Sequence, residues 1–290
     1  MGWFWMRLGM HVSISGSLDL AVDRAEERGC NTFQMFTRNP RAWRFRGLIH
    51  EEVGAFIRKV EGSGMEPVVA HMPYLPNLAS ARDDIYEKSV RSLKAELRRC
   101  EQLKVPYLVT HLGSHLGRGM SFGSGRIVNS INRAFSEVEN DVMLLLENTS
   151  GSKNSMGTHF TDIGRIIDQL ERRDRVGVCF DTSHAFAAGY DLRSDEVVED
   201  TMREFEEVIG LERLRVVHLN DSKAGLGTGI DRHEHIGLGE IGEEGFKAIL
   251  RHRGLRGLPL ILETPITSPG DDVRNLEKVR ELYRLANPNY

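Results

Sequence analysis

Short apolar runs alternate with longer stretches of helical periodicity along the whole chain. The runs lie at residues 8–12, 32–36, 68–71, 107–111, 142–147, 176–181, 215–219 and 258–263. Two of them, Val142-Met143-Leu144-Leu145-Leu146 and Leu258-Pro259-Leu260-Ile261-Leu262, are nearly continuous, as strands covered on both faces should be. Helical patterns at 83–103, 126–139, 160–170 and 195–209 fall between them. Eight βα units predict an α/β fold of the (β/α)₈ TIM-barrel type, with the active site at the C-terminal face of the strands. A doubly wound open sheet is the second choice. With no low-complexity linker, residues 1–290 read as one domain, and 1–7 as an apolar N-terminal extension.

Composition narrows the setting. With 40% hydrophobic and 28% charged residues the chain has the balance of a soluble globular protein. No apolar run reaches the roughly 20 residues that cross a bilayer, so a cytoplasmic protein with no membrane partner is expected. Cys30, Cys100 and Cys179 form no CxxC pair and read as buried packing residues. The net charge of −4 argues, taken alone, against a polyanionic partner.

The ends of the strands carry the chemistry. His11, His71, His111, Glu147, Asp181, His218 and Glu263 each sit where an apolar run finishes, and a parallel barrel gathers all strand ends at one mouth. His184 follows Asp181 closely, and Asp231 and His233 lie in the Gly-rich loop after the seventh strand. Imidazoles and carboxylates without thiolates suit catalytic Zn²⁺, with Mn²⁺ or Fe²⁺ as alternatives. Nine candidate ligands (His71, His111, Glu147, Asp181, His184, His218, Asp231, His233 and Glu263) exceed the needs of one ion and imply two or three.

Each position has a plainer reading. A single histidine is more often a hydrogen-bonded structural residue, and a carboxylate at a strand end can cap the next helix. The set is harder to explain that way, because clustered carboxylates repel one another unless a cation compensates them. His11 fits a supporting hydrogen bond behind a ligand as well as a metal bond. His115, His159 and His235 lie in neighbouring loops and are open between lining the pocket and not. His50 and His252 read as surface residues, and Lys223 as a phosphate contact or a partner of Asp221.

Several of these segments are recognisable. His71-Met72-Pro73-Tyr74-Leu75-Pro76-Asn77-Leu78, Val178-Cys179-Phe180-Asp181-Thr182-Ser183-His184, His218-Leu219-Asn220-Asp221-Ser222-Lys223 and Asp231-Arg232-His233-Glu234-His235-Ile236-Gly237-Leu238-Gly239 resemble the signatures of the endonuclease IV family of AP endonucleases. The resemblance runs in order from Gly9-Met10-His11-Val12-Ser13 to Glu263-Thr264. It implies three Zn²⁺ per chain, with Mn²⁺ a possible substitute, and incision of DNA 5′ to an abasic site to leave 3′-OH and 5′-deoxyribose phosphate. Cleaning of blocked 3′ ends is implied as well. One ion would be held by His71, His111 and Glu147, a second by Glu147, Asp181, His218 and Glu263, and a third by His184, Asp231 and His233. Glu147 and Glu263 are the expected catalytic carboxylates.

Such ions also answer the charge objection, since three of them on ionised carboxylates and neutral imidazoles would turn −4 into +2, concentrated at the mouth. Residues 37–46 interleave arginines with aromatics, a combination suited to gripping phosphate and stacking on bases or sugars. By the resemblance, Arg41 inserts into the base stack and Tyr74 with Leu75 forms a second wedge; Trp43 completes the expected DNA contacts. The expected partner is double-stranded DNA with abasic sites or blocked 3′ ends, met by a monomer at the nucleoid. The rival enzyme is a divalent-metal sugar isomerase or epimerase on the same barrel, and a third possibility is a damage-binding protein that does not cut. His184, Asp231 and His233 have no evident duty in the rival.

Overall fold

A computed structural model describes residues 6–288. In chain order the strands are β1 (Arg7–Val12), β2 (Phe33–Phe36), β3 (Val68–His71), β4 (Tyr107–His111), β5 (Met143–Glu147), β6 (Val176–Asp181), β7 (Leu214–His218), β8 (Asp221–Ser222), β9 (His233–Glu234) and β10 (Pro259–Leu262). The first seven and β10 are parallel and close into an eight-stranded barrel, with β10 returning to pair with β1. Around them run α1 (Leu20–Glu27), α2 (His50–Ser63), α3 (Asp83–Gln102), α4 (Met120–Glu137), α5 (Phe160–Asp168), α6 (Thr182–Ala188), α7 (Asp195–Val208), α8 (Gly242–Arg251) and α9 (Asp271–Ala286). The closed ring excludes the open doubly wound sheet.

The barrel interior explains where the strand-end residues point. Val69, Val109, Leu145, Cys179, Val216 and Ile261 form one apolar layer inside it. Side chains alternate across a strand, so the residue two places further on also faces inward. Those residues are His71, His111, Glu147, Asp181, His218 and Glu263. The polar set is therefore the next layer up from a packed hydrocarbon floor, at the C-terminal rim.

Some boundaries differ from the sequence reading. Met6 is buried in the core and Arg7 opens β1, so only residues 1–5 of the expected extension lie outside the described residues. Helix α4 starts at Met120 rather than 126, because Gly123 packs where a Cβ would meet the Met156 sulfur at 2.6 Å and so belongs to the helix interface. The ribbon β8–β9 is antiparallel, with two residues per strand, too short to show a period in sequence. All three cysteines are free and buried, as expected.

Gly9 permits the tight pairing of β1 with β2. A Cβ there would lie 1.8 Å from the Thr32 carbonyl oxygen. Gly9→Ala should destabilise the protein by about 3 kcal/mol or more, seen as a fall of roughly 6–12 °C in Tm. An unchanged Tm would contradict that close approach.

Candidate metal centre

Three overlapping groups of ligand atoms gather at the rim. His71, His111 and Glu147 form one, Glu147, Asp181, His218 and Glu263 a second, and Asp181, His184 and His233 a third; within each, the donor atoms lie no more than 4.8 Å apart. The exposed Asp231 carboxylate joins the third, 3.2 Å from His184 Nε2 and 3.7 Å from His233 Nε2. Glu147 is shared by the first two groups, with Oε2 3.2 Å from His71 Nε2 and Oε1 3.1 Å from His218 Nδ1. All nine sequence-identified candidates thus converge on one mouth, beside a cavity of about 360 Å³.

Four of the five candidate histidines are held as ligands need to be. His71 Nδ1 is 2.6 Å from the Met72 carbonyl, His184 Nδ1 3.0 Å from the Asn148 carbonyl, and His233 Nδ1 3.1 Å from the Glu263 carbonyl. His218 uses its other nitrogen, with Nε2 2.8 Å from Gln34 Oε1. Each ring is fixed by a backbone or amide oxygen on one side and turns its remaining nitrogen toward the carboxylates, the usual arrangement behind a metal-bound imidazole. His233 Nε2 is buried with no hydrogen-bond partner, which costs free energy unless something else binds it. The donor set and this unmet nitrogen fit divalent ions.

Electrostatics agree. Burial works to raise the Glu147 carboxyl, yet His111, His218 and His184 hold it well below the ordinary carboxylate range. Burial opposes charge on His184 too, but Asp181, Asp231 and Glu147 hold it well above the ordinary imidazole value. Glu147 stays ionised and collects positive charge, the role a cation takes in a metal site.

Asp181 serves both readings weighed from sequence. Its Oδ1 caps α6 by accepting the His184 N–H at 2.7 Å, and its Oδ2 accepts from Asn220 Nδ2 at 2.7 Å while facing the cluster. Three neutral amides are not evident from sequence. Gln34 donates to Glu263 Oε1 at 2.7 Å, Asn148 brackets the Asp181 backbone, and Asn220 joins Asp181 to the Glu263 N–H, which it accepts at 2.8 Å. Asn220→Ala should weaken metal affinity by roughly 10–100-fold, measured by competition with a chelator. Unaltered affinity would reduce Asn220 to a packing residue.

Other candidates separate clearly. His11 lies 3.5 Å from Glu263 Oε1 and 3.0 Å from Gln34 Nε2, in position to support the site from behind. His115, His159 and His235 do not line the cavity: His115 accepts the Gly117 and Gly119 N–H groups, His159 caps α5, and His235 contacts Asn275. His50 is exposed, but His252 is not the free surface residue expected; it is half-buried, accepts the Gly254 N–H and pairs with Glu199. Lys223 pairs with Glu234, not with Asp221, whose carboxylate gathers the N–H groups of Ser222, Gly237, Gly239 and Ile241. Arg41 is exposed and Trp43 half-buried under Lys88. Tyr74 and Leu75 stand exposed at the mouth, three and four positions past His71.

A closed (β/α)₈ barrel with a multi-histidine, multi-carboxylate mouth defines a metal-site TIM barrel, and the family model described as xylose isomerase-like TIM barrel matches residues 22–285. A relative from Methanoculleus marisnigri, called probable endonuclease 4, is 59% identical over 276 residues, covering 95% of this chain and 98% of its own. The crystal structure of endonuclease IV from Thermus thermophilus superposes with a TM-score of 0.86 at 37% identity, covering 96% of this chain and 99% of that one. A D-tagatose 3-epimerase-like protein, at 18% identity and TM-score 0.72, shares the fold over 98% of this chain and 99% of its own. The chain belongs to the endonuclease IV family. Among the described residues no helix is long and apolar enough to cross a membrane.

Proposed function

We propose that the chain is a metal-dependent DNA-repair endonuclease that hydrolyses the phosphodiester 5′ to an abasic site, leaving 3′-OH and 5′-deoxyribose phosphate, and that it also removes 3′ blocks. The observation that carries this reading is the triple grouping of ligands around Glu147 and Asp181, more than a sugar isomerase or epimerase with one or two ions requires. Three Zn²⁺, with Mn²⁺ as a possible substitute, would be held by His71, His111 and Glu147; by Glu147, Asp181, His218 and Glu263; and by His184, Asp231 and His233. Ions held by these residues would supply an acidified water, neutralisation of the phosphate and stabilisation of the leaving 3′ oxygen.

The chain's own groups do the rest. Glu147 and Asp181 set the spacing of the three groups. Glu263, held on Oε1 by Gln34, turns Oε2 toward His218 at 3.4 Å and the second group, where it would orient the attacking water. Tyr74 and Leu75, exposed beside His71, are placed to fill the gap left by a missing base, where unstacking is cheapest. Arg41 and Trp43 extend that contact along the duplex. One chain, working as a monomer at the nucleoid, suffices for this chemistry.

The test is incision of a duplex carrying one abasic analogue, with and without chelation. Metal-dependent cutting to a 3′-OH end is expected. Cutting that survives complete metal removal, or ketose turnover with none on the duplex, would overturn the reading.

A further inference from the structure

Seven of the nine candidate ligands belong to the barrel frame: six stand at the ends of barrel strands, and His184 follows on α6. Asp231 and His233 do not. They arrive on the long connection between β7 and β10, where no barrel pairing holds the chain. His233 opens β9, whose partner is the two-residue β8, with Ser222 paired to His233 and Asp221 to Glu234. The Lys223 N–H adds one bond to the Arg232 carbonyl at 2.9 Å. A two-stranded ribbon of any length is marginal by itself in water, so this short one needs a further hold.

Asp221 supplies that hold. Its carboxylate is fully buried, with Oδ1 accepting the N–H groups of Ser222 at 2.8 Å and Ile241 at 3.1 Å, and Oδ2 those of Gly237 and Gly239 at 2.9 Å each. The chain beyond β9 is thereby folded back around one side chain. The Glu240 N–H adds a bond to the Ser222 carbonyl at 2.7 Å. Gly239 comes so close that a Cβ on it would lie 2.5 Å from Asp221 Oδ1 and 2.4 Å from the Ser222 carbonyl oxygen. A carboxylate accepts at both oxygens, whereas an amide of the same shape accepts at one and would turn its NH₂ toward two N–H groups.

The other end of this assembly meets the metal centre, where His233 Nδ1 lies 3.1 Å from the Glu263 carbonyl and Asp231 Oδ1 3.2 Å from His184 Nε2. We propose that Asp221 is the positioning residue of the third ion group: by pinning the β8–β9 ribbon it brings Asp231 and His233 to His184, while the two groups built on strand ends do without it. It acts through the backbone that carries His233, not on an ion or the substrate. The inference rests on the three-ion reading and adds that the third site is a separable module with its own fastening.

The experiment titrates Zn²⁺ into the metal-free wild type and Asp221→Asn against a competing chelator, giving the number of ions and the affinity of each. The wild type should take three. Asp221→Asn should keep two at wild-type affinity and bind the third roughly 10–100-fold more weakly. A merely structural role would weaken all three in parallel, and that result overturns the proposal, as does a third ion held as in the wild type. Should Asp221→Asn fail to fold, hydrogen exchange in the wild type decides. The third equivalent of Zn²⁺ should slow the amides of Gly237, Gly239 and Ile241 by about tenfold or more beyond the effect of the first two. Amides indifferent to that equivalent overturn the coupling. A wild type that never takes a third ion overturns the three-ion reading and this proposal with it, whereas three ions in both proteins overturn the proposal alone.

Discussion

Glu147→Gln is expected to lower kcat/KM on an abasic duplex by roughly a thousandfold or more, equivalent to about 4 kcal/mol of lost transition-state stabilisation. Glu147 is fully buried, and its two oxygens reach histidines of separate groups, His71 on one side and His218 on the other. The amide keeps the shape but removes the charge and replaces one oxygen by a non-ligating NH₂, so one group would lose a ligand atom and the other would keep only a weaker, neutral one. Bound metal should fall below the wild-type content while the far-ultraviolet circular dichroism stays that of the native barrel. Wild-type turnover and metal content would show that Glu147 only fills the barrel.

The second large effect is expected at Glu263, where Glu263→Gln should reduce kcat by about 10²–10⁴-fold, the range associated with a positioned acid–base group. Its side chain is held on one oxygen by Gln34, and its backbone N–H by Asn220, so the substituted amide stays in place. Only one ion group contains Glu263, so metal content should fall less than in Glu147→Gln. The comparison separates ligand loss from loss of the water-orienting oxygen. Near-normal kcat with reduced metal content would remove the water-orienting role.

Much of this centre is legible in the sequence because a barrel strand is covered on both faces. It reads as an apolar run, and the inward residue two places past the floor layer falls at its end, as Leu145 and Glu147 or Ile261 and Glu263 illustrate. What sequence does not reveal is partnership at a distance. Gln34, Asn148 and Asn220 are neutral amides with no chemical signature, and their importance appears only once pairing brings β2 and the strand ends beside Glu263 and Asp181. Arg38 and Arg41 look alike in a basic loop, but a carboxylate on α3, Glu96, draws the first inward and leaves the second exposed. His115 and His235 have the same chemistry as the histidines of the cluster, but a backbone N–H and the Asn275 amide capture their rings away from the mouth.

X-ray diffraction from crystals grown with Zn²⁺, recorded on both sides of the zinc absorption edge, addresses the metal centre without reference to activity. Three anomalous peaks are expected, one among His71, His111 and Glu147, one among Glu147, Asp181, His218 and Glu263, and one between His184, Asp231 and His233. A map with no peak among these side chains contradicts a metal centre here, and a single peak contradicts a trinuclear one.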